Sequence, residues 1–271
     1  MQLEMNVVDA FTNTVFKGNS AAVIITDSWL SDGLMQSIAM ENNLSETAFL
    51  VPNQSKEKTH YDIRWFSPTT EIAFCGHATL AAAFVLFSKN PTLKTIMLSA
   101  KAVGILTILQ TSTGEIQMDF PNNKPEKVTD IPDSLLQGLS IAPIEVYRNS
   151  QAYFVIYHTK SDILNIIRNN EILKQLAPLN IVVTCQSESE NLQSYDFISR
   201  YFSHANGGSE DPVTGSVHTG LAPFWAERLG KDELIAYQAS NRGGMLRCVV
   251  RGDRVLISGN AVQYLTGHIT V

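Results

Sequence analysis

Two segments of this chain each place acidic and glycine residues directly ahead of an apolar helix. The first is Glu71–Phe84 and the second is Gly207–His218, which leads into a further apolar run. The first N–H groups of a helix have no intrahelical partner and carry partial positive charge, and a neighbouring glycine lets a ligand approach the backbone closely. Two such anion-binding helix starts in one chain predict a cleft between two similar halves.

Length and composition indicate a globular protein and argue against a disordered or nucleic-acid-binding chain. The 271 residues suffice for one large domain or two of ordinary size. A hydrophobic content of 44% can fill a core, and a charged content of 17% is low for a disordered chain. The formal net charge is −6 and no dense Lys/Arg cluster is present, which argues against a nucleic-acid-binding surface.

The cysteines and the amino terminus indicate a cytoplasmic protein. Cys75, Cys185 and Cys248 form no close pair and no metal-binding spacing, so reduced thiols are expected. Residues 1–5 lack the basic and apolar regions of a signal peptide. The longest apolar run, residues 78–87, is far shorter than the roughly 20 residues of a membrane-spanning helix.

The predicted elements divide the chain into an N-terminal lobe, residues 1–120, and a C-terminal lobe, residues 121–271. The polar segment 121–126 is the linker, and the last strand is a candidate for return to the N-terminal lobe. Helices are predicted over 29–40, 78–87 and 162–176, with a fourth after Asp211 that ends near Gly230. Strands are predicted near 3–11, 21–25, 47–51, 61–66, 95–99, 104–110, 115–120, 145–148, 153–157, 181–184, 196–202, 245–251, 254–258 and 263–269. Many strands with few helices predict an α+β fold with mostly antiparallel sheets.

Asp211 is the first candidate for chemistry, and two interpretations are open. With Glu210 it could cap the following helix, which would stabilise that helix by about 1 kcal/mol. Alternatively, it is a carboxylate held over a ligand site and paired with the N–H groups of Gly215 and Ser216. A carboxylate in a partly dry cleft has a raised pKa and can exchange protons near neutral pH.

A structural and a functional interpretation are likewise open for His77, Cys75 and Asn19. His77 could cap or pack its helix, or present an imidazole to a pocket, where its pKa suits proton transfer. Cys75 could be a small buried thiol or a thiolate favoured by the helix start. No Asn or Asp is obviously placed to orient His77. Asn19 follows Gly18 and either forms a turn or aims its amide at a ligand.

No phosphate-binding loop, dinucleotide fingerprint or metal motif occurs in the sequence. The available groups are acids, an imidazole and helix starts. Such groups suit proton transfer at a carbon beside a carboxylate, because one group removes the proton while helix N-termini bear part of the developing charge.

Four blocks of sequence resemble the phenazine-biosynthesis PhzF-like family, whose relatives include diaminopimelate epimerase and proline racemase. They are Asp9–Phe11 with Gly18–Val23, Asn43–Phe49, Phe74–Leu80, and Gly208–His218. The resemblance covers essentially the whole chain. It implies two related lobes, each a barrel-like sheet around a central helix, with the active site between them. It also implies a homodimer that needs no cofactor and no metal.

The resemblance also implies roles for individual residues. Glu46, which spacing alone would leave as a solvated residue at the mouth of a strand, corresponds to the proton-shuttling glutamate. His77 and Asp211 correspond to the assisting groups. The expected substrate-binding residues are Asn19, Gly76, Gly215 and Ser216.

Two positions depart from related proteins. The racemase relatives use two cysteines, and the second of these positions is Thr214 here, which disfavours a two-thiol epimerase. Ala73 occupies a place where many family members have an acid.

The resulting hypothesis is a cytoplasmic isomerase that moves a proton on a small carboxylate metabolite by acid/base catalysis, with Glu46 as the acid/base. The alternatives are a non-catalytic carboxylate-binding protein on the same fold, and an epimerase that depends on Cys75. No nucleic-acid or membrane partner is expected.

Overall fold

The computed structural model describes residues 1–53, 59–187, 195–204 and 209–271. The chain divides into two compact units. The first unit comprises Met1–Asp119 with Ser258–Val271, and the second comprises Phe120–Ile257. The last strand of the chain therefore belongs to the first unit. Gly207 and Gly208, at the start of the second glycine-led segment, lie outside the described residues.

Within its described residues, the first unit is a mixed sheet with two helices. Its elements in chain order are β1 (Gln2–Ala10), β2 (Asn19–Ile25), α1 (Asp32–Asn42), β3 (Glu46–Pro52), β4 (His60–Phe66), β5 (Glu71–Ile72), α2 (Gly76–Lys89), β6 (Thr95–Ala100), β7 (Gly104–Gln110) and β8 (Ile116–Pro121), with β18 (Ala261–Thr270) added from the carboxyl terminus. β1 lies between β2 and β18, antiparallel to both. β3 pairs with β2 in parallel and with β4 in antiparallel orientation.

Helix α2 is the buried helix of the first unit. It packs against β1, β2 and β3, and nearly all of its side chains from His77 to Phe87 are buried. Its small residues, the alanines at 78, 81, 82 and 83, let the sheet approach the helix closely. The amino end of α2 is thereby fixed beside the first residues of β2 and β3, as the contacts of His77 with Asn19 and Glu46 show.

The second unit contains the remaining elements. They are β9 (Glu126–Lys127), α3 (Asp133–Gly138), β10 (Glu145–Arg148), β11 (Ala152–Ile156), α4 (Lys160–Asn165), α5 (Asn170–Leu173), a 3₁₀ turn (Lys174–Leu176), β12 (Asn180–Gln186), β13 (Phe197–Ser203), β14 (Ser209–Asp211), α6 (His218–Leu229), β15 (Glu233–Gln238), β16 (Gly244–Arg251) and β17 (Arg254–Gly259). β13 pairs with β12 and β14 in antiparallel and with β15 in parallel orientation. Helix α6 is buried from His218 to Ala226.

The α+β class with a buried helix in each unit is confirmed. Helix α2 is longer than predicted by two residues at each end and, as predicted, ends at Asn90. The single helix predicted over 162–176 is wrong. Ile166 has an extended backbone, Arg168 forms a β-bridge with Leu139, and Asn169 caps a new short helix with its side chain. Tertiary pairing overrides the helical pattern there.

Five of the described elements have no counterpart in the prediction: β5, β9, α3, β14 and β15. The strands β5 and β9 have two residues each and carry no periodic signal. The strand β15 does alternate buried and less buried residues, so its omission is an error of the prediction. Within the described parts of the chain, no helix is both long and apolar enough to cross a membrane.

Candidate functional site

The amino end of α2 brings three reactive side chains of the first unit together. Glu46 is the first residue of β3, Cys75 precedes α2 as its N-cap residue, and His77 lies in the first turn. Oε2 of Glu46 lies 2.9 Å from Nε2 of His77. Sγ of Cys75 lies 3.4 Å from Nδ1 of His77. The exposed fractions of the His77 and Glu46 side chains are 5% and 17%, so both charges are largely removed from water.

Asn19 corrects the expectation that no Asn or Asp orients His77. Its Nδ2 lies 3.1 Å from Nδ1 of His77, and its Oδ1 accepts a hydrogen bond of 3.1 Å from the Ser45 hydroxyl. Asn19 is fully buried. The contact joins residues 58 positions apart, so no local sequence signal could have found it.

Gly18 explains how Asn19 reaches this position. Its φ is +64°, and a Cβ at this place would lie 2.1 Å from the carbonyl oxygen of Ala10. Only glycine adopts this conformation with the backbone so close. The register between β1 and β2 pairs Ala10 with Asn19, so the turn delivers Asn19 directly to the first position of β2.

The three groups shift one another's pKa values. Burial alone would raise the pKa of Glu46, but the charge and hydrogen bond of His77 outweigh burial and lower it. Burial alone would lower the pKa of His77, but its contacts with Cys75 and Glu46 raise it well above its usual value, and the negative charge present near neutral pH is that of Glu46. Burial, with the Glu46 charge, raises the pKa of the Cys75 thiol to about 11. The directions of these shifts favour, near neutral pH, a Glu46 carboxylate that faces a proton on Nε2 of His77, with Cys75 as a thiol.

His77 engages one carboxylate oxygen of Glu46. The buried Oε2 of Glu46 lies 2.9 Å from Nε2 of His77, at ion-pair distance although outside strict hydrogen-bond angles. The contact keeps Glu46 ionised in a largely buried place, so the carboxylate can act as a base.

The same three residues could hold a metal ion. Among the described residues, the donor atoms of Glu46, Cys75 and His77 lie within 4.8 Å of one another, a set that suits Zn²⁺. A metal must displace protons from the thiol and the imidazole. The raised pKa values of Cys75 and His77 work against that displacement at neutral pH. The expectation of no metal stays a prediction.

The second glycine-led loop lies in the second unit and has its own network. Oδ2 of Asp211 accepts a hydrogen bond of 2.5 Å from the Thr214 hydroxyl. The interpretation that Glu210 and Asp211 cap the helix is wrong, because the N-cap residue is Val217 and no side chain caps it. Glu210 instead forms a two-pronged ion pair with Arg200, with both contacts at 2.8 Å.

Ser216 is held as a hydrogen-bond donor. Its oxygen accepts a hydrogen bond of 2.8 Å from the side-chain amide of Gln151. Since an amide N–H can only donate, the Ser216 hydroxyl proton is free to point elsewhere. A donor at the start of α6 suits an anionic ligand group. No local pattern signals Gln151, which lies 65 positions from Ser216.

The structure thus groups the predicted site residues by unit. Glu46, His77, Asn19 and Gly76 lie together at the amino end of α2. The other three lie in the loop before α6: Asp211, Gly215 and Ser216. That both groups serve one substrate stays a prediction.

Comparison with known proteins identifies the family. The family model for phenazine biosynthesis-like proteins matches residues 8–267. The chain belongs to the PhzF family. An uncharacterized isomerase of Pseudomonas aeruginosa is 43% identical over 99% of both chains, and another of Halalkalibacterium halodurans is 43% identical over the same shares.

Solved structures agree with this membership. A PhzF family protein of Enterococcus faecalis is 38% identical, with a TM-score of 0.91 over 100% of both chains. A predicted epimerase of Pseudomonas aeruginosa shares the fold, with a TM-score of 0.76 and 19% identity over 99% of both chains. This PhzF-family chain therefore belongs to a family whose curated relatives are named isomerases, and it shares the diaminopimelate epimerase-like fold.

Proposed function

We propose that the protein is a cofactor-independent isomerase that moves a proton on a small carboxylate, with Glu46 as the group that carries the proton. The observation that supports this most is the ion pair of 2.9 Å between Oε2 of Glu46 and Nε2 of His77, in which both side chains are largely buried. His77 keeps Glu46 ionised and ready to accept a proton.

The reaction balances without any added reagent. Glu46 takes a proton from a carbon next to the substrate carboxylate or one double bond away from it. The electron pair of the broken C–H bond passes into the carboxylate as an enediolate. The imidazolium of His77 offsets the developing negative charge. Glu46 then returns the proton to an allylic carbon on the same face. Where the same carbon is protonated on its other face, the assisting Asp211 delivers that proton and the two carboxyl groups re-equilibrate with water, so substrate and product have the same composition.

In this proposal the second unit holds the substrate. Ser216 donates its hydroxyl proton to the substrate carboxylate, as its hydrogen bond from Gln151 allows. Asn19, Gly76 and Gly215 are further substrate contacts, and Asp211 assists in proton transfer. A homodimer and a cytoplasmic location also remain proposals, and light scattering would test the first.

Deuterium exchange tests the proposal. Panels of α-amino, α-hydroxy and unsaturated cyclic carboxylates are incubated with the protein in heavy water and followed by NMR. The panel includes trans-4-hydroxy-L-proline, the ligand bound in a structurally similar hydroxyproline epimerase that is 10% identical. Wild-type protein is expected to exchange a C–H proton of at least one class, and Glu46→Gln is expected to slow that exchange by at least about 10³-fold.

Glu41→Gln is the matched control, because Glu41 is exposed on α1 and the charge change is the same. It should exchange at the wild-type rate. If Glu46→Gln folds and exchanges as fast as Glu41→Gln, the role of Glu46 is wrong. Binding of a carboxylate without any exchange would instead support a non-catalytic binding protein.

The Cys75-dependent epimerase is a second candidate, since Cys75 contacts His77 directly. Two observations count against it. The pKa of Cys75 is raised to about 11, and Thr214 stands in place of a second thiol. Loss of exchange in Cys75→Ala with exchange retained in Glu46→Gln would favour this candidate.

A further inference from the structure

Gln238, the last residue of β15, directs its whole side-chain amide at the loop that carries Asp211. The residue is fully buried. Its Oε1 accepts a hydrogen bond of 2.9 Å from the backbone N–H of Thr214. Its Nε2 donates to the backbone oxygen of Asp211 at 2.8 Å and to the Thr214 hydroxyl at 3.3 Å. The amide orientation is fixed, because a backbone N–H can only donate and must face the amide oxygen.

The hydrogen bonds form a chain with one direction. Nε2 of Gln238 donates to Oγ1 of Thr214, and this hydroxyl in turn donates to Oδ2 of Asp211. A hydroxyl that already accepts from an amide has its proton directed at its other partner. Gln238 thereby reaches the Asp211 carboxylate through the Thr214 hydroxyl.

The backbone of Thr214 is held from a second side as well. Its carbonyl oxygen accepts a hydrogen bond of 2.8 Å from Nδ1 of His218, and His218 is fully buried. The Ser240 hydroxyl donates to the carbonyl oxygen of Pro212 at 2.8 Å. The loop between β14 and α6 is therefore attached to buried side chains along its length, which is how a reactive group on a loop keeps its position.

We propose that Gln238 is a positioning residue that fixes the Asp211 carboxylate through Thr214. The inference rests on the proposed function, in which Asp211 assists proton transfer. It also assigns a role to Thr214, whose hydroxyl is committed to Asp211 and therefore does not replace the second racemase thiol as a base. Nothing near Gln238 in the sequence signals this role.

The test uses Gln238→Met, which keeps the length of the side chain and removes all three hydrogen bonds. Thr184→Val is the control. Thr184 is equally buried in the same unit, and its hydroxyl donates to Ile198 and accepts from Trp225. Both changes delete buried hydrogen bonds, but only the first acts on the Asp211 loop.

The first readout needs no substrate. The Asp211 carboxyl carbon is followed by ¹³C NMR, and the Thr214 amide by hydrogen exchange. Gln238→Met should shift or broaden the Asp211 resonance and speed Thr214 exchange by at least about tenfold. Thr184→Val should leave both at wild-type values. An Asp211 resonance that is identical in Gln238→Met and wild type would overturn the inference.

The second readout is a double-mutant cycle. It measures deuterium exchange at the C–H group of the panel carboxylate on which the wild-type protein is fastest. If Gln238 acts through Asp211, Gln238→Met slows exchange by about tenfold or more, yet adds less than about threefold to the loss in Asp211→Asn. Losses that multiply would show a merely structural role and overturn the inference. If Asp211→Asn and Glu46→Gln both exchange at the wild-type rate, the proposed function itself fails.

Discussion

Glu46 and His77 form an ion pair of 2.9 Å between largely buried side chains. Burial of either charge alone would favour its neutral form, so each residue depends on the other to stay ionised. The pair gives the site a base and a compensating positive charge at the same place. When Glu46 accepts a proton from a substrate, His77 keeps its charge and faces the negative charge that develops on the substrate.

Replacement of His77 by Asn tests this dependence. The variant removes the positive charge, so burial is left to raise the pKa of Glu46. In wild type, His77 keeps the Glu46 carboxylate ionised down to a lower pH than in the variant. Deuterium exchange therefore also persists to a lower pH. The acidic limb of the pH–rate profile should therefore move to higher pH in His77→Asn, as measured by deuterium exchange or by ¹³C NMR of Glu46. An unmoved acidic limb in a folded variant would contradict the pairing.

Most elements of the fold could be predicted because each lobe buries strands and helices with regular apolar periods. Alternation of Ile116, Met118 and Phe120 identified β8, and the Asn90-Pro91 step ended α2 where expected. The helix predicted over 162–176 failed because a bridge between Leu139 and Arg168 draws the chain out of the helix. Such a bridge depends on a segment far away in sequence.

The site was predictable to the level of single residues only where a motif exists. The resemblance pointed to Glu46, and the glycine-led helix start pointed to His77. Gln238 and the contact between Asn19 and His77 were missed, because a buried amide on a distant strand leaves no local pattern. Tertiary contacts determine which residues hydrogen-bond to catalytic groups, and a single sequence does not reveal those contacts.

Gly18→Ala should destabilise the protein and disturb the site together. The φ of +64° and the 2.1 Å approach of a Cβ to Ala10 leave no room for a side chain. The expected loss is about 2 kcal/mol or more in the free energy of unfolding, measured by urea denaturation. Movement of Asn19 should also shift the His77 ring resonances in NMR spectra.

Gly33→Ala is the matched control for Gly18→Ala. Gly33 lies in α1, and a Cβ there meets nothing within 4 Å. Alanine favours a helix over glycine, so this variant should gain up to about 1 kcal/mol. Equal effects of the two substitutions would show that the conformation of Gly18 is not what the fold requires.

Cys75 should react slowly with iodoacetamide in the native protein. Burial, helped by the Glu46 charge, raises its pKa to about 11, so the reactive thiolate is scarce near neutral pH. Mass spectrometry should find Cys75 unmodified under conditions that label it fully in urea. Rapid native labelling that stops deuterium exchange would contradict this and support the Cys75-dependent candidate.

His218 should make stability depend on pH in a defined window. Burial lowers its pKa to about 4, while its hydrogen bond to the Thr214 carbonyl only partly opposes this shift. The unfolded chain, with a histidine pKa of about 6.5, binds more protons than the folded protein between these values. The stability from neutral His218 is therefore complete above about pH 6.5 and is lost as pH falls toward 4, by about 3 kcal/mol. His218→Asn can keep a side-chain N–H toward Thr214 but does not titrate. Urea unfolding at several pH values should show that the free energy of unfolding falls less steeply toward acid pH in this variant than in wild type. Equal slopes for the two proteins would show that His218 contributes nothing to the pH dependence.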